Sequence, residues 1–272
     1  MIARLQFHYY IAKISTVNKS SVIRRFIAFV FNFIVPLEPH SYFRYQKIAD
    51  KIKADQAVIS GNNKKILDIG GSLQFFLYLY FIHACKISEY LIWQKNEEDV
   101  IDLARSIGLL PASIRSLIRA RKVDVERDNP SDIDFDIIFL NDVLEHVIDD
   151  NSLIINSARR LRNNGYLSIN VPTKLYKEIF GLRMHQAVGH VRDGYSKEDI
   201  MKMAPNELKL ISHEYYGSQA NWLFSFYYQQ DNMLKNIIVY LSSLLVFPIL
   251  KRISSNEQND KNPSLNLLFQ KI

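Results

Sequence analysis

Phe135-Asp136-Ile137-Ile138-Phe139-Leu140-Asn141-Asp142-Val143-Leu144-Glu145-His146-Val147 is an apolar run bounded by acids and followed by titratable side chains. An apolar stretch without alternation predicts a strand covered on both faces, the arrangement of a parallel sheet between helical layers. Outward from it, short β-branched runs alternate with helical patterns, as such a sheet requires. Strands are expected over residues 65–69, 90–93, 166–171, 208–215 and 265–272, with a short one over 122–125. Helices are expected over about 73–84 and 97–107. Another carries Leu153, Ile154, Ser157, Ala158 and Leu161 and is stopped by Asn164-Gly165. Residues 113–120 are ambiguous. Residues 173–200 show no periodicity, and a loop of that length is uncommon unless it has a function. Residues 256–263 read as a polar linker.

The 272 residues, 48% hydrophobic and 23% charged, exclude a disordered chain. Cys85 is the single cysteine, so an internal disulfide and a thiolate-rich zinc site are both excluded, and a cytoplasmic setting is expected. Cys85 itself, among apolar neighbours, reads as core. Of the net charge of +6, the excess lies in residues 1–60, which hold nine Lys/Arg against three Asp/Glu. That basic arm, set apart from a domain over 61–272, suggests an anionic neighbour.

Arg24 and Arg25 precede an apolar run from Phe26 to Val35 that Pro36 closes. A second run, Ile237 to Leu250 within an insertion at about 231–253, is flanked by Lys235, Lys251 and Arg252. Both are shorter than the roughly 20 residues of a spanning helix, so they suit buried core or a membrane interface. The first has no signal-peptide cleavage site. The aromatic pairs Tyr9-Tyr10 and Tyr227-Tyr228 fit an interfacial belt, with core packing the commoner explanation. Contact with an anionic membrane is the expectation, and a nucleic-acid partner is not.

Ile66-Leu67-Asp68-Ile69-Gly70-Gly71 is a strand ending in an acid and two glycines just before a helix, a junction at which backbone can approach a ligand closely. With the stretch from Phe135 to Val147, the turn and strand Asn164-Gly165-Tyr166-Leu167-Ser168-Ile169-Asn170-Val171-Pro172, and Gly189-His190-Val191-Arg192-Asp193-Gly194-Tyr195, it makes four elements in order. In this series the chain resembles the class I S-adenosylmethionine-dependent methyltransferases, from about residue 64 to 215 plus the last strand. The resemblance implies an α/β, Rossmann-like, doubly wound, mostly parallel sheet of seven strands, the last inserted antiparallel, with a helical N-terminal arm. It places S-adenosyl-L-methionine over the carboxyl ends of the strands. Asp68, Gly70 and Gly71 would support the methionine moiety, Asp124 and Val125 would lie by the adenine, and Asn141 and Asp142 would line the methionine end and the substrate mouth.

Two positions depart from the family's pattern. Ser72 and Gln74 stand where the first motif carries its later glycines. Gln94 or Lys95 stands where the family places a ribose-binding carboxylate, with Glu97 as a substitute nearby. Glutamine accepts one such bond and lysine none; losing a charge-assisted acceptor costs about 1.5–3 kcal/mol, roughly ten- to a hundredfold in affinity.

Methyl transfer to a hydroxyl needs a route for the leaving proton. His146 and His190 are the candidate catalytic residues, each also open to a structural role, for His146 that of a helix-start residue bonding backbone, while His185 reads as a solvated loop residue. Glu145 is open to sharing a metal, orienting His146 or capping the next helix; no metal ligand set is assigned. Three functions follow. The first is methylation of an oxygen on a saccharide, lipid-linked or other small acceptor. The second is a catalytically inactive binding or assembly module of the same fold. The third, a nicotinamide-dependent oxidoreductase, is the weakest, since no Gly-x-Gly-x-x-Gly follows the first strand.

Overall fold

Side chains alternate along the central strands and sort into two apolar layers, one on each side of a seven-stranded sheet. In the computed structural model, Ile66, Tyr90, Ile92, Ile137 and Phe139 join one core cluster, and Leu67, Leu91, Trp93, Ile138 and Leu140 join the other. The structure describes residues 2–17, 19, 21–34, 36–37, 39–54, 63–128, 131, 134–178, 186, 189–217, 242, 249 and 262–272. Most of the expected insertion at about 231–253, Tyr227-Tyr228, His185 and most of the 256–263 linker lie outside these residues.

Helices α1 (Ile2–Ile14), α2 (Val22–Ile34) and α3 (Pro39–Ala54) form the arm. Then follow β1 (Lys64–Ile69), α4 (Leu73–Leu77) running into a π-helical turn (Tyr78–Ile82), β2 (Ile87–Gln94), α5 (Glu97–Gly108), α6 (Ala112–Arg115) and β3 (Ile118–Lys122). The second half holds β4 (Phe135–Asn141), a 3-10 turn (Leu144–His146), α7 (Asp150–Arg160), β5 (Leu161–Pro172), α8 (Lys197–Met203), β6 (Leu208–Tyr216) and β7 (Ser264–Lys271). The order across the sheet is β3-β2-β1-β4-β5-β7-β6. β7 pairs antiparallel with both β5 and β6, whereas the pairings among β1 to β5 are parallel, as expected.

Three local expectations change. The third strand lies at Ile118–Lys122 rather than 122–125, because Tyr90 to Gln94 of β2 pair with it there, leaving Val123, Asp124 and Val125 just past its end. The helix ends at Arg160 instead of reaching Asn164. Asn164 does adopt the left-handed backbone (φ 62), and it stands at the irregularity where β5 shifts register on β4. Glu145 caps nothing: the N-cap of α7 is Asp149, whose carboxylate accepts from the Ser152 amide at 2.9 Å.

The arm shares the core of the sheet. Tyr45, Ile48, Ala49 and Ile52 of α3, spaced three and four apart, are buried in the cluster that holds Ile66, Phe75 and Phe139. A polar face of the same helix carries Arg44, Lys47 and Lys51, each tied to a different strand or its end. Arg44 bonds Asp142, Lys47 bonds Glu214 of β6 at 2.5 Å, and Lys51 bonds the Asn266 carbonyl of β7 at 2.9 Å. Helix α2 differs. Its Val22, Ile23, Phe26, Val30, Phe33 and Ile34 are exposed, Phe26 to 69%, so the reading of this run as buried core is overturned. Its other side meets α1 through Phe29 on Tyr9, ring centroids 6.1 Å apart. Cys85 is buried as expected, and burial pushes its thiol up to about 11.

Phe139 is fully buried in mid-sheet, its ring edge-on to Phe75 at 4.9 Å. Phe139→Ala removes that packing and leaves a cavity. It should lower unfolding free energy by about 3–5 kcal/mol in urea titrations.

Candidate functional site

The carboxyl end of β1 sets the geometry. Asp68 is fully buried, and its Oδ2 accepts from the Tyr90 hydroxyl at 2.7 Å. Oδ1 finds no hydrogen-bond partner among the described residues. Burial pushes the Asp68 carboxyl up to about 7; the Tyr90 hydroxyl, the Ser72 amide and the Arg44 charge pull the other way. Gly70 takes a left-handed conformation (φ 66), and a Cβ there would come within 2.8 Å of Val143 Cγ2. At Gly71 a Cβ would fall 2.0 Å from the Asp68 carboxyl carbon, so the chain must be bare where it crosses the buried acid.

Ser72 does not crowd this turn. As N-cap of α4 its Oγ accepts from the Phe75 amide at 3.2 Å and shares a 2.9 Å hydrogen bond with the Tyr45 hydroxyl of α3. Leu73 points into the core, and Gln74 is half-buried.

At the end of β2, Gln94 donates from Nε2 to the Gly71 carbonyl at 2.7 Å, which leaves its Oε1 as an acceptor. Lys95 is paired with Glu126 at 2.9 Å, and exposed Glu97 lies 3.6 Å from Lys122. Asp124, just beyond β3, accepts from the Glu126 amide at 3.1 Å and lies 3.7 Å from Arg127. Val125 borders a cavity of about 10 Å³ beside Ile69, Trp93 and Arg160, room for one water and not for a purine. A larger cavity, about 610 Å³, lies at the opposite end of the strands between Tyr10, Asn63, Cys85 and Leu117. Open α/β sheets bind ligands at the other edge.

At the end of β4, Asn141 Oδ1 is buried and finds no partner among the described residues. Asp142 takes a left-handed backbone (φ 53) and accepts from both Arg44 and Asn170 Nδ2, the latter at 2.7 Å. The Tyr216 hydroxyl donates to Asn170 Oδ1 at 2.6 Å and extends the chain to β6. Burial works against the Arg44 charge, but Asp142, with Tyr45 and Tyr216, more than offsets it and lifts the guanidinium above its usual pKa. Arg44 Nε is nonetheless buried with no hydrogen-bond partner among the described residues. Arg44, Tyr45, Asn170 and Tyr216 were not legible as site residues. The one sequence signal was the spacing of Arg44, Lys47 and Lys51 on a single helical face.

Glu145, His146 and His190 meet beside this network. The Val191 amide donates to the Glu145 carbonyl at 2.8 Å, and the Tyr195 hydroxyl donates to the Leu144 carbonyl and to Asp150, each at 2.9 Å. Those bonds pin the 189–195 segment against the 3-10 turn and bring the His190 ring to 4.9 Å from the His146 ring. His146 Nδ1 is hydrogen-bonded to the Gly189 carbonyl at 3.2 Å. Glu145 is 1% exposed. Burial first, then the neighbouring Asp142 charge, holds its carboxyl well above the usual carboxylate range.

No family model matches the sequence, and no curated protein matches it. Solved structures do. An S-adenosylmethionine-dependent methyltransferase from Mesorhizobium loti is 13% identical, with 77% of this chain and 92% of that one covered at TM-score 0.51. The YcgJ protein of Bacillus subtilis is 15% identical, with 84% and 98% covered at 0.53. The [4+2]-cyclase SpnF is 11% identical, with 83% and 81% covered at 0.56. This is the class I methyltransferase fold. Identities of 11–15% speak to the fold and to nothing finer.

Within the class I methyltransferase fold, Asp68, Gly70, Gly71 and Gln94 come together around one turn, and Asn141 and Asp142 close the neighbouring strand end. His146 and His190 form a pair one turn further on. Asp124 and Val125 follow β3.

The buried acid makes a pH prediction. Because the folded pKa of Asp68 is raised, its protonated form is favoured by folding, and stability is lost as pH rises from about 4 toward 7. Asp68→Asn lacks that loss. Its stability relative to the parent should therefore increase by about 2 kcal/mol between pH 5 and pH 8 in paired urea titrations. A difference that stays flat with pH would show that the acid is not held this way.

Proposed function

We propose that the chain is an S-adenosylmethionine-dependent methyltransferase acting on an oxygen of a saccharide, lipid-linked or other small acceptor. The observation that carries this reading is the complement of an α-amino acid at the carboxyl ends of β1 and β4. Asp68 Oδ1 and Asn141 Oδ1 are buried acceptors without partners among the described residues, as an ammonium group requires, and Arg44 Nε is a buried donor in the same state, as a carboxylate requires. The glycine turn leaves backbone bare beside them. Gln94 Oε1 and the Asp124 carboxylate are the acceptors for the nucleoside hydroxyls and adenine.

When bound, S-adenosylmethionine supplies an electrophilic methyl group on its sulfonium. The protein's part is to align the acceptor, exclude water and take the proton from the acceptor oxygen, a role assigned in this reading to His146 and His190. Tyr176, its ring 4.8 Å from His190, adds an aromatic wall.

Calorimetric titration with S-adenosylmethionine and S-adenosylhomocysteine should give saturable binding of both. Arg44→Ala should weaken each at least tenfold by removing a charge-assisted contact. Absence of heat at millimolar concentrations of both would instead favour a non-catalytic module of the same fold.

For the lipid-linked acceptor and contact with an anionic membrane, the support is α2. Its exposed apolar face lies beside Arg24 and Arg25, and no helix among the described residues is long and apolar enough to cross a membrane. The double substitution Ile23→Glu with Phe26→Glu, at positions 70% and 69% exposed, should leave the fold intact and abolish co-flotation with phosphatidylserine vesicles. Unchanged flotation would remove this face from the account.

A further inference from the structure

Glu145, His146 and His190 offer a combination that the arrangement for S-adenosylmethionine does not use. One ligand atom from each lies within 4.8 Å of the other two. Atoms sharing a zinc-type ion at about 2.0–2.2 Å stand roughly 3–3.5 Å apart, so small side-chain rotations close the set. Glu145 Oε2 is the second, independent pointer: it is buried, on a residue 1% exposed, and has no hydrogen-bond partner among the described residues. A buried carboxylate oxygen left this way is costly unless a cation or donor reaches it.

The histidines are held in a suitable manner. His146 uses Nδ1 on the Gly189 carbonyl, which orients the ring and presents Nε2 as the free ligand atom, the usual outer support of a metal-bound imidazole. The bond from the Val191 amide to the Glu145 carbonyl fixes the backbone next to His190. His146 is exposed and His190 half-buried, which gives an ion a path of entry.

We propose that Glu145, His146 and His190 bind a divalent transition-metal ion of the zinc, manganese or cobalt type through one carboxylate oxygen and two imidazole nitrogens. Three protein ligands leave coordination positions open, as in catalytic rather than structural sites. The site stands on the three side chains alone. Its use in catalysis, where an acceptor oxygen would take an open position and give up its proton more readily, rests on the methyl-transfer reading and would replace the two imidazoles as direct proton acceptors.

The test uses the full chain, stripped with chelator and titrated with Co²⁺ followed by visible absorbance, and with Zn²⁺ and Mn²⁺ by calorimetry. Wild type should take up one ion per chain, and Glu145→Gln and His190→Asn should each weaken uptake at least tenfold. Circular dichroism checks the fold of each variant. Should Glu145→Gln fail to fold, His190→Asn, on the surface segment, gives the same reading. Binding weaker than about 100 µM for all three ions, or uptake undiminished in the folded variants, would overturn the proposal. Titration of the same samples with S-adenosylmethionine separates the two ideas. Metal uptake without nucleoside binding rejects the transferase reading alone, and the reverse rejects the metal site alone.

Discussion

A buried carboxyl group organises this molecule. Asp68 sits at the end of β1 with no exposed surface, so the chain above it must supply what solvent would. Tyr90 gives a hydroxyl from the adjacent strand and Ser72 gives a backbone amide. Gly71 passes overhead because any side chain there would occupy the space of the acid, and Gly70 turns left-handed to make the passage. The helix that follows then begins at a fixed point. Ser72 caps it, and the Tyr45 hydroxyl finds its partner there.

From that fixed point the charged face of α3 becomes intelligible. Tyr45 bonds the cap of α4, and Arg44, one residue earlier, reaches Asp142 beyond β4. Asp142 is shared with Asn170 of β5, and Asn170 with Tyr216 of β6, so four elements are joined by one line of hydrogen bonds. The side chains of Arg44 and Asp142 are 19% and 28% exposed, between the limits at which ion pairs are screened and at which they are fully desolvated. In such a setting, loss of one partner leaves the other poorly compensated.

The sheet was legible because burial on two faces writes itself into sequence. Ile137 to Leu140 read as an interior strand, and Asn164-Gly165 marked a left-handed position, which falls inside β5 where its register shifts on β4. The third strand was not, since Arg119, Arg121 and Lys122 give an edge strand the texture of a loop. Of the site, the acid and glycines of β1 were visible through the resemblance. The use of Ser72 as a cap explains why a missing glycine is tolerated there. Arg44 and Tyr45 were invisible for a physical reason: their partners lie 98 and 27 residues away, and no local period encodes a contact made across the fold. The run from Phe26 could not be assigned to core or interface from sequence, because an apolar helical face looks the same whether it is covered or not.

The bonds of α3 also carry a history. Lys51 holds the carbonyl of Asn266, 215 residues onward, and Lys47 holds Glu214, 167 residues onward. This helix precedes both partners in the chain and cannot make these bonds until each of them has been synthesised. β7, which must slide between β5 and β6, follows both of them in the chain. Contacts of such sequence separation form late and slowly. The last of these bonds therefore forms late, and a nascent chain stopped before residue 264 would lack the one that ties Lys51 to β7.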